Sequence, residues 1–116
     1  MLLRMAQGMT ESTFWILTSL AEGRRHGYAI LRDVDRLSEG AVALRVTTLY
    51  AALERLVRDG LAVEAGEEVV DGRARRYYAL SPVGIDALEG ETTALVVRAR
   101  AARGRLGTRA AGEALA

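Results

Sequence analysis

The chain contains no cysteine, no lysine, a single proline and few aromatic residues. Without cysteine it has no disulfide, no thiolate metal site and no cysteine nucleophile. No apolar run approaches the roughly 20 residues that a membrane-spanning helix needs, and the N-terminus shows no secretory signal. These absences make a cytoplasmic protein without a membrane partner the default expectation.

Catalytic and cofactor motifs are missing as well. The sequence contains no paired catalytic carboxylates, no nucleophile with a base, no glycine-rich phosphate loop and no cluster of metal ligands. His26, the one histidine, is interpreted as a structural hydrogen-bonding group. We therefore expect a protein that is not an enzyme and that has no cofactor and no metal.

The charge of the chain is balanced overall but clustered locally. With 116 residues and a net charge of +1, the protein is expected to be one domain and not a bulk polycation. Seven of the 16 arginines form three clusters, at residues 24–25, at residues 55–58 and at residues 73–76. One such cluster alone usually marks only a solvated face, so its meaning depends on the elements that carry it.

Helical periodicity predicts two helices in the first third of the chain. Residues 1–9 are expected to form a loose leader, after which Thr10 or Ser12 caps a first helix that Gly23 ends. A second helix is predicted from about residue 27 to residue 37, after a short arginine-rich link. Its predicted apolar stripe consists of Tyr28, Ile30, Leu31, Val34 and Leu37.

A third helix is predicted in the stretch VTTLYAALERLVRDGL, residues 46–61. Thr47 or Thr48 is the predicted N-cap, and Gly60 ends the helix. The residues at helical spacing that form its buried face are Leu49, Leu53, Leu56 and Val57. The positions left to face outward include Thr48, Tyr50, Ala51, Arg55 and Arg58.

A β-hairpin follows, because both residues of Asp71-Gly72 suit the positive φ angles of a two-residue turn. The register that this turn sets pairs Val70 with Arg73, Glu68 with Arg75 and Glu67 with Arg76. Opposite charges across the strands stabilise such a hairpin by about a few tenths of a kcal/mol per pair. Continued toward the body, the same register pairs Ala65 with Tyr78 and Val63 with Leu80.

Ser81-Pro82 predicts the start of a fourth helix, with serine as the cap and proline as the first helical residue. This helix is expected to span residues 82–103, and the Gly- and Ala-rich residues 104–116 are expected to form a frayed tail. Its apolar stripe consists of Ile85, Leu88, Leu95, Val96 and Ala99. The domain formed by residues 10–81 is too small to bury all of that stripe, so we expect a second subunit to cover it.

The element order predicts a mainly α protein with a small β-hairpin, namely a winged helix-turn-helix plus a C-terminal dimerisation helix. In this fold the third helix enters the major groove of double-stranded DNA, and its exposed start offers hydroxyls and free amides to phosphates and base edges. The predicted DNA contacts are Thr47, Thr48, Tyr50 and Arg55 on the helix and Arg73 and Arg75 on the wing. Two alternatives stay open: Tyr50 bonds within its own domain, and Glu68 neutralises Arg75.

Three ordered motifs resemble one known family. HGYAILRDV (residues 26–34), TTLYAALERLVRDGLAVEA (residues 47–65) and RARRYYALSPVGIDAL (residues 73–88) are similar to the PadR family of bacterial transcriptional regulators. The resemblance covers roughly residues 12–100 and points to the compact branch with a short C-terminus. Thr47, Ala51 and Ser81 depart from the glycine, proline and threonine that are usual in the family.

The resemblance implies a homodimeric repressor that binds a palindromic operator. It also implies a small hydrophobic or aromatic effector, held between the first and last helices, where Trp15 is the candidate pocket residue. A second class of function is a winged-helix protein-interaction module without DNA binding, which the acidic residues Glu64, Glu67 and Glu68 of the wing favour. The salt dependence of duplex binding distinguishes the two.

Overall fold

The computed structural model describes residues 9–115. In chain order their elements are α1 (Glu11–Leu20), β1 (Arg25–His26), α2 (Gly27–Leu37), α3 (Val46–Arg58), β2 (Ala62–Val70), β3 (Arg73–Leu80) and α4 (Pro82–Leu115). The predicted mainly helical winged helix-turn-helix with a C-terminal helix is confirmed. The predicted loose leader lies outside the described residues except for Met9, which packs half-buried against the core.

The first helix begins as the sequence predicts and ends earlier. The Thr10 side chain caps α1 by accepting a hydrogen bond from the backbone N–H of Thr13 (3.1 Å). The helix stops at Leu20, with Ala21 as its C-terminal cap, so the predicted end at Gly23 was too late. Gly23 instead lies in the turn toward β1, where its φ of +150° suits a residue without a β-carbon.

The strand β1 was missed, because the sequence predicted only an arginine-rich link there. Arg25 pairs with Tyr78 and His26 with Tyr77, both on β3. The three strands form an antiparallel sheet in the order β1-β3-β2. Two residues are too few to show a periodic pattern, so the long-range pairing with β3 is what defines this strand.

The start of α3 differs from the prediction. Arg45 is the N-cap residue and makes no side-chain capping bond, whereas Thr47 or Thr48 was predicted to cap. The N–H of Leu49 donates to the carbonyl oxygen of Arg45 (2.9 Å). This bond forms the first turn of the helix, which therefore starts two residues before Thr47. Both threonine hydroxyls therefore lie inside the first turn and are exposed.

The hairpin turn is confirmed, since Asp71 and Gly72 have φ angles of +52° and +75°. The register near the turn is also confirmed: Val70, Glu68 and Glu67 lie opposite Arg73, Arg75 and Arg76. Farther in, the predicted pairs of Ala65 with Tyr78 and Val63 with Leu80 are wrong. Tyr78 lies opposite Glu64, and Leu80 lies opposite Ala62, because a β-bulge between Glu64 and Glu67 shifts the register.

The last helix is longer than predicted. Ser81 caps it by accepting from the N–H of Gly84 (2.9 Å), and Pro82 is its first residue, as expected. It continues for 34 residues to Leu115, so the predicted end at residue 103 and frayed tail from residue 104 are wrong for the described residues. Arginine, alanine, leucine and glutamate, which favour helix, fill most of the segment and outweigh its glycines. Every side chain from residue 95 to residue 113 is exposed, so this half of α4 projects from the body.

One core holds the three short helices and the sheet together. Its fully buried members include Ile16, Leu17, Leu20, Ile30, Val34, Leu49, Leu53 and Leu56, with Tyr78 closing it from β3. The predicted buried face of α3 is therefore confirmed, with Val57 half-buried at its edge and Ala52 added to it. Because α3 is held by this one face, its opposite face lies in solvent.

Candidate nucleic-acid interface

The outer face of α3 carries polar side chains that are free of partners. Thr47, Thr48 and Arg55 are all exposed. Within residues 9–115, none of the three side chains takes part in a hydrogen bond or ion pair of the fold. Arg55 follows Thr47 by two helical turns, so both project from the same side of the helix. These residue types suit phosphate oxygens and base edges.

The N-terminus of α3 is open as well. Because Arg45 provides no side-chain cap, the first backbone N–H groups of the helix lack an acceptor among the described residues. Such amides and the positive end of the helix dipole attract anions. The helix start therefore favours a negatively charged partner such as a phosphate.

Tyr50 combines the two roles that the sequence left open. Its ring packs against Gly27 at the start of α2, which is the packing role. Its side chain is nevertheless 39% exposed, and its hydroxyl makes no hydrogen bond among the described residues. The domain thus positions both the ring and the hydroxyl, which lies beside Gly27, and the hydroxyl keeps its capacity to bond a partner.

Tyr28 was wrongly assigned to the apolar stripe of the second helix. It is 61% exposed, and its ring lies 5.8 Å from the Arg32 guanidinium carbon. The helical period could have revealed this, since Tyr28 projects from the side opposite to Ile30 and Val34. Tyr28 and Arg32 thus extend the exposed polar surface onto α2.

His26 precedes α2 and caps it. Its Nδ1 accepts a hydrogen bond from the N–H of Ala29 (3.2 Å), which requires that this nitrogen carry no proton. Burial lowers the pKa of His26 below 6.5, and the positive charge of Arg75 lowers it further against the opposing effect of Glu68. The cap is therefore in its neutral form near pH 7, as the structural interpretation of this histidine requires.

A buried carboxylate fixes α2 against α1. Asp33 is buried and accepts a hydrogen bond from the Ser19 hydroxyl (2.8 Å). Burial by itself raises the pKa of Asp33, but the hydrogen bonds from Ser19 and Arg36 and the charges of Arg25 and Arg36 outweigh it and lower that pKa. The ionised carboxylate thus holds the helix pair that supports α3.

The wing presents two arginines without a partner in the fold. Arg73 and Arg75 are exposed and form none of the ion pairs found among residues 9–113. The predicted contact of Glu68 with Arg75 is not made, although the two residues lie opposite each other. Arg76 does pair with acidic residues, at 3.9 Å from Glu64 and 4.0 Å from Glu67, as the charge pattern predicts.

Most residues of the predicted dimerisation stripe are exposed on α4, and their role in a dimer stays a prediction. Ile85, Leu95 and Val96 are 44%, 38% and 43% exposed, and Ala99 is exposed too. Leu88 instead packs half-buried against the protomer's own core, so less of its side-chain surface is exposed for contact with a second subunit. The stripe prediction missed Val97 and Leu106, which are 60% and 61% exposed.

A groove of about 400 Å³ lies between α1 and α4. Trp15 lines it, as the candidate effector residue, together with Met9, Thr10, Glu11, Phe14, Glu91 and Leu95. The Phe14 and Trp15 rings meet edge to face, with centroids 5.3 Å apart. The sequence interpretation missed Glu91, whose Oε1 is buried without a hydrogen-bond partner among the described residues.

In the described part of the chain, no helix is both long enough and apolar enough to cross a membrane. The exposed face of α3, the adjoining wing and the supporting α2 define the chain as a winged helix-turn-helix protein. Residues 16–90 match the Transcriptional regulator PadR-like family, and the chain belongs to that family. Its membership confirms the resemblance and supports the interpretation that the protein is not an enzyme.

Curated relatives and solved structures agree with this assignment. The chain is 42% identical over 86 residues to "Transcriptional regulator Rv3488" of Mycobacterium tuberculosis, a match that covers 74% of this chain and 64% of the relative. It is 29% identical to an uncharacterized protein of Lysinibacillus sphaericus and covers 63% of it. The chain thus spans just under two thirds of the length of these relatives.

Among solved structures, a PadR family transcription regulator from Clostridium difficile has a TM-score of 0.68 at 24% identity, over 84% of this chain and 99% of that one. Bacillus subtilis PadR, solved in complex with operator DNA, has a TM-score of 0.59 at 19% identity, over 66% of this chain and 43% of that one. At these identities the two structures establish the shared fold.

Proposed function

We propose that the protein is a cytoplasmic, sequence-specific transcriptional regulator that binds double-stranded DNA and acts as a repressor. The observation that carries this proposal is the outer face of α3, where Thr47, Thr48 and Arg55 are exposed and free of partners in the fold. In a winged helix-turn-helix this face lies in the major groove. The uncapped start of α3 adds free amides for a phosphate.

The other predicted contacts fit the same placement. The ring and the hydroxyl of Tyr50 lie against Gly27 on a side chain that is half-exposed, and a phosphate oxygen is a suitable acceptor for the hydroxyl. Arg73 and Arg75 lie on the wing beside the turn, and they would contact flanking phosphates or the minor groove. Arg55, two turns along α3, has the length to reach the DNA backbone or a guanine edge.

The proposed assembly is a homodimer on a palindromic operator. The exposed Ile85, Leu95, Val96 and Ala99 of α4 supply the surface, and the isolated second half of α4 lacks any packing partner among the described residues. A helix in water gains most of its stability from packing an apolar face. Isologous pairing through this face covers it and sets two α3 helices about one DNA turn, roughly 34 Å, apart.

Release from the operator by a small hydrophobic or aromatic effector completes the proposal. The groove beside Trp15 has about 400 Å³ and aromatic walls, and it adjoins the proposed dimer surface through Leu95. Trp15 is the single tryptophan, so all tryptophan fluorescence comes from a residue that lines the groove. Titration with planar aromatic compounds should quench this fluorescence and weaken operator binding together.

The test of the DNA-binding function is the salt dependence of affinity. Genomic fragments that include the region upstream of the gene should contain a palindrome that the protein protects. If the dimer contacts about six phosphates, affinity should fall about a thousandfold between roughly 50 and 200 mM salt. Binding that is absent from every duplex, or that does not change with salt, would contradict the proposal. It would favour a protein-interaction module, for which the acidic residues Glu64, Glu67 and Glu68 of β2 are the supporting observation.

A further inference from the structure

Arg24 crosses the face of the sheet from the turn that follows α1 and contacts both strands of the wing. Its Nη1 donates to the carbonyl oxygen of Ala65 (2.9 Å), and its Nη2 lies 3.2 Å from Oε1 of Glu68. Between these two contacts its guanidinium carbon lies 4.2 Å from the ring centroid of Tyr77. One side chain thus joins β2 and β3 to the body of the domain.

The bulge in β2 leaves room for the Arg24 guanidinium group. Ala65 and Gly66 are the residues that the shifted register leaves without a partner on β3, so the Ala65 carbonyl is free to accept from Arg24. Gly66 has a φ of +106°, and a β-carbon there would stand 3.1 Å from Nη1 of Arg24. Glycine therefore serves both the strained backbone and the close approach of the guanidinium.

Glu68 is fully engaged by these neighbours. One carboxylate oxygen faces Arg24, and the other accepts a hydrogen bond from the Tyr77 hydroxyl (3.0 Å). Arg75 lies directly opposite Glu68 on β3, close enough for a cross-strand ion pair. That pair is not formed among the described residues, so Arg24 and Tyr77 hold the carboxylate away from Arg75.

We propose that Arg24 is a positioning residue for DNA binding: by holding Glu68, it keeps the wing's Arg75 free to contact a phosphate. Without Arg24, the Glu68 carboxylate turns to Arg75 and neutralises it. The inference rests on the proposed function, in which Arg75 contacts DNA. It assigns to the turn after α1 a role in the interface although Arg24 itself need not touch the nucleic acid.

The test compares the affinity for one operator duplex of three variants: Arg24→Ala, Arg24→Ala with Glu68→Ala, and Arg24→Ala with Glu67→Ala. The single variant should bind about fivefold more weakly than the wild type, and its salt slope should fall by about 1.8, the value of two phosphate contacts, one for each protomer of the proposed dimer. Adding Glu68→Ala should restore both the affinity and the slope. The control Glu67→Ala removes the same charge from the same strand and should restore neither.

Direct contact of Arg24 with DNA predicts a different result, because the lost affinity and slope would then stay lost in the variant with Glu68→Ala. Equal affinity of the two double variants overturns the inference. Tyr77→Phe offers a second approach that keeps every charge and the ring. It removes one of the two anchors of Glu68, so it should weaken binding in the same direction, and Glu68→Ala should reverse that effect.

The failure of this inference can be told from the failure of the proposed function. Absence of DNA binding by the wild type contradicts the function itself. If the wild type binds DNA, and Arg75→Ala weakens this binding but Arg24→Ala does not, the inference is wrong while the proposed function stands. Thermal unfolding of each variant without DNA shows whether the fold is intact, and a crystal structure of the Arg24→Ala variant should show the Glu68 carboxylate at ion-pair distance from Arg75.

Discussion

The phenol ring of Tyr50 lies over the α-carbon of Gly27, where a β-carbon would stand 2.6 Å from the ring carbon that carries the hydroxyl. This contact joins the start of α3 to the start of α2. It makes the position of a proposed DNA-binding side chain depend on a glycine that no DNA would touch. Substitutions at these two positions separate the packing role of Tyr50 from the role of its hydroxyl.

Gly27→Ala should weaken operator binding while leaving thermal stability almost unchanged. The new methyl group displaces the Tyr50 ring, which is free to turn outward because it is the end of an exposed side chain. Alanine also suits a helix better than glycine does, by about 0.5–1 kcal/mol, which offsets the lost contact. Operator titration and thermal unfolding measure the two effects, and a fall in stability with unchanged affinity would contradict the prediction.

Tyr50→Phe should weaken operator binding and leave the fold intact. The substitution keeps the ring on Gly27 and removes only the hydroxyl, which makes no hydrogen bond among the described residues. Loss of a hydrogen bond to a charged phosphate corresponds to about 1.5–3 kcal/mol, or roughly tenfold or more in affinity. If the variant instead melts earlier and binds as tightly as the wild type, the hydroxyl serves the domain and not the DNA.

Gly84→Ala should lower the free energy of unfolding by about 1–3 kcal/mol. A β-carbon at residue 84 would overlap the carbonyl oxygen of Leu61, and a backbone group cannot turn aside as a side chain does. The matched control is Gly90→Ala in the same helix, where the added methyl group meets open space and should stabilise the protein by about 0.5–1 kcal/mol. Urea unfolding of both variants measures the difference, and equal shifts would refute the role of this close contact.

Leu95→Asp combined with Val96→Asp should yield a monomer that no longer binds the operator. Both side chains are exposed on α4, and a charge on each prevents the burial that isologous pairing requires. Light scattering at micromolar concentration measures the oligomeric state, and operator titration measures the consequence. Val97→Asp should be measured beside this double variant, because Val97 is exposed on the same helix but was not part of the predicted stripe. A wild-type protein that is monomeric in this experiment contradicts the dimer and the palindrome with it.

The stability of the protein should decrease as the pH falls below about 6.5. The folded-state pKa of His26 is lowered by burial and by Arg75, so the unfolded chain binds this proton more readily than the folded one. The contribution of neutral His26 is therefore complete above its ordinary pKa of 6.5 and is lost as the pH drops through the lowered value. His26→Asn, which caps a helix without titrating, should show a smaller decrease in urea unfolding. An identical pH dependence in both proteins would exclude His26 as the cause.

Local sequence determined the element order, the buried faces and the wing turn. Leu49, Leu53 and Leu56 repeat at helical spacing, and all three are in the core. Asp71-Gly72 adopts the positive φ angles that it predicts, and Ser81 caps the helix that Pro82 begins. These features depend on residues a few positions apart, whose backbone preferences and side-chain spacing are present in the chain before it folds.

The periodicity also predicted which residues of α3 face outward, and the structure confirms that all of them are exposed: Thr48, Tyr50, Ala51, Arg55 and Arg58. Their roles at DNA remain predictions. The predicted N-cap was wrong by two or three residues, because the first turn already closes from Leu49 to Arg45 without a side-chain cap. The end of α4 was wrong because the glycines of the tail were weighed more heavily than the arginines and alanines around them.

Only the tertiary structure decided which partner each charged side chain takes. The sequence placed Glu68 opposite Arg75, and the register agrees, yet the carboxylate binds Arg24, which is 44 residues away along the chain. Three long-range features bring Arg24 there: the pairing of β1 with β3, the bulge at Gly66 and the ring of Tyr77. Cross-strand spacing identifies the neighbours that a charge can reach, whereas the choice among them depends on groups that only the folded chain brings together.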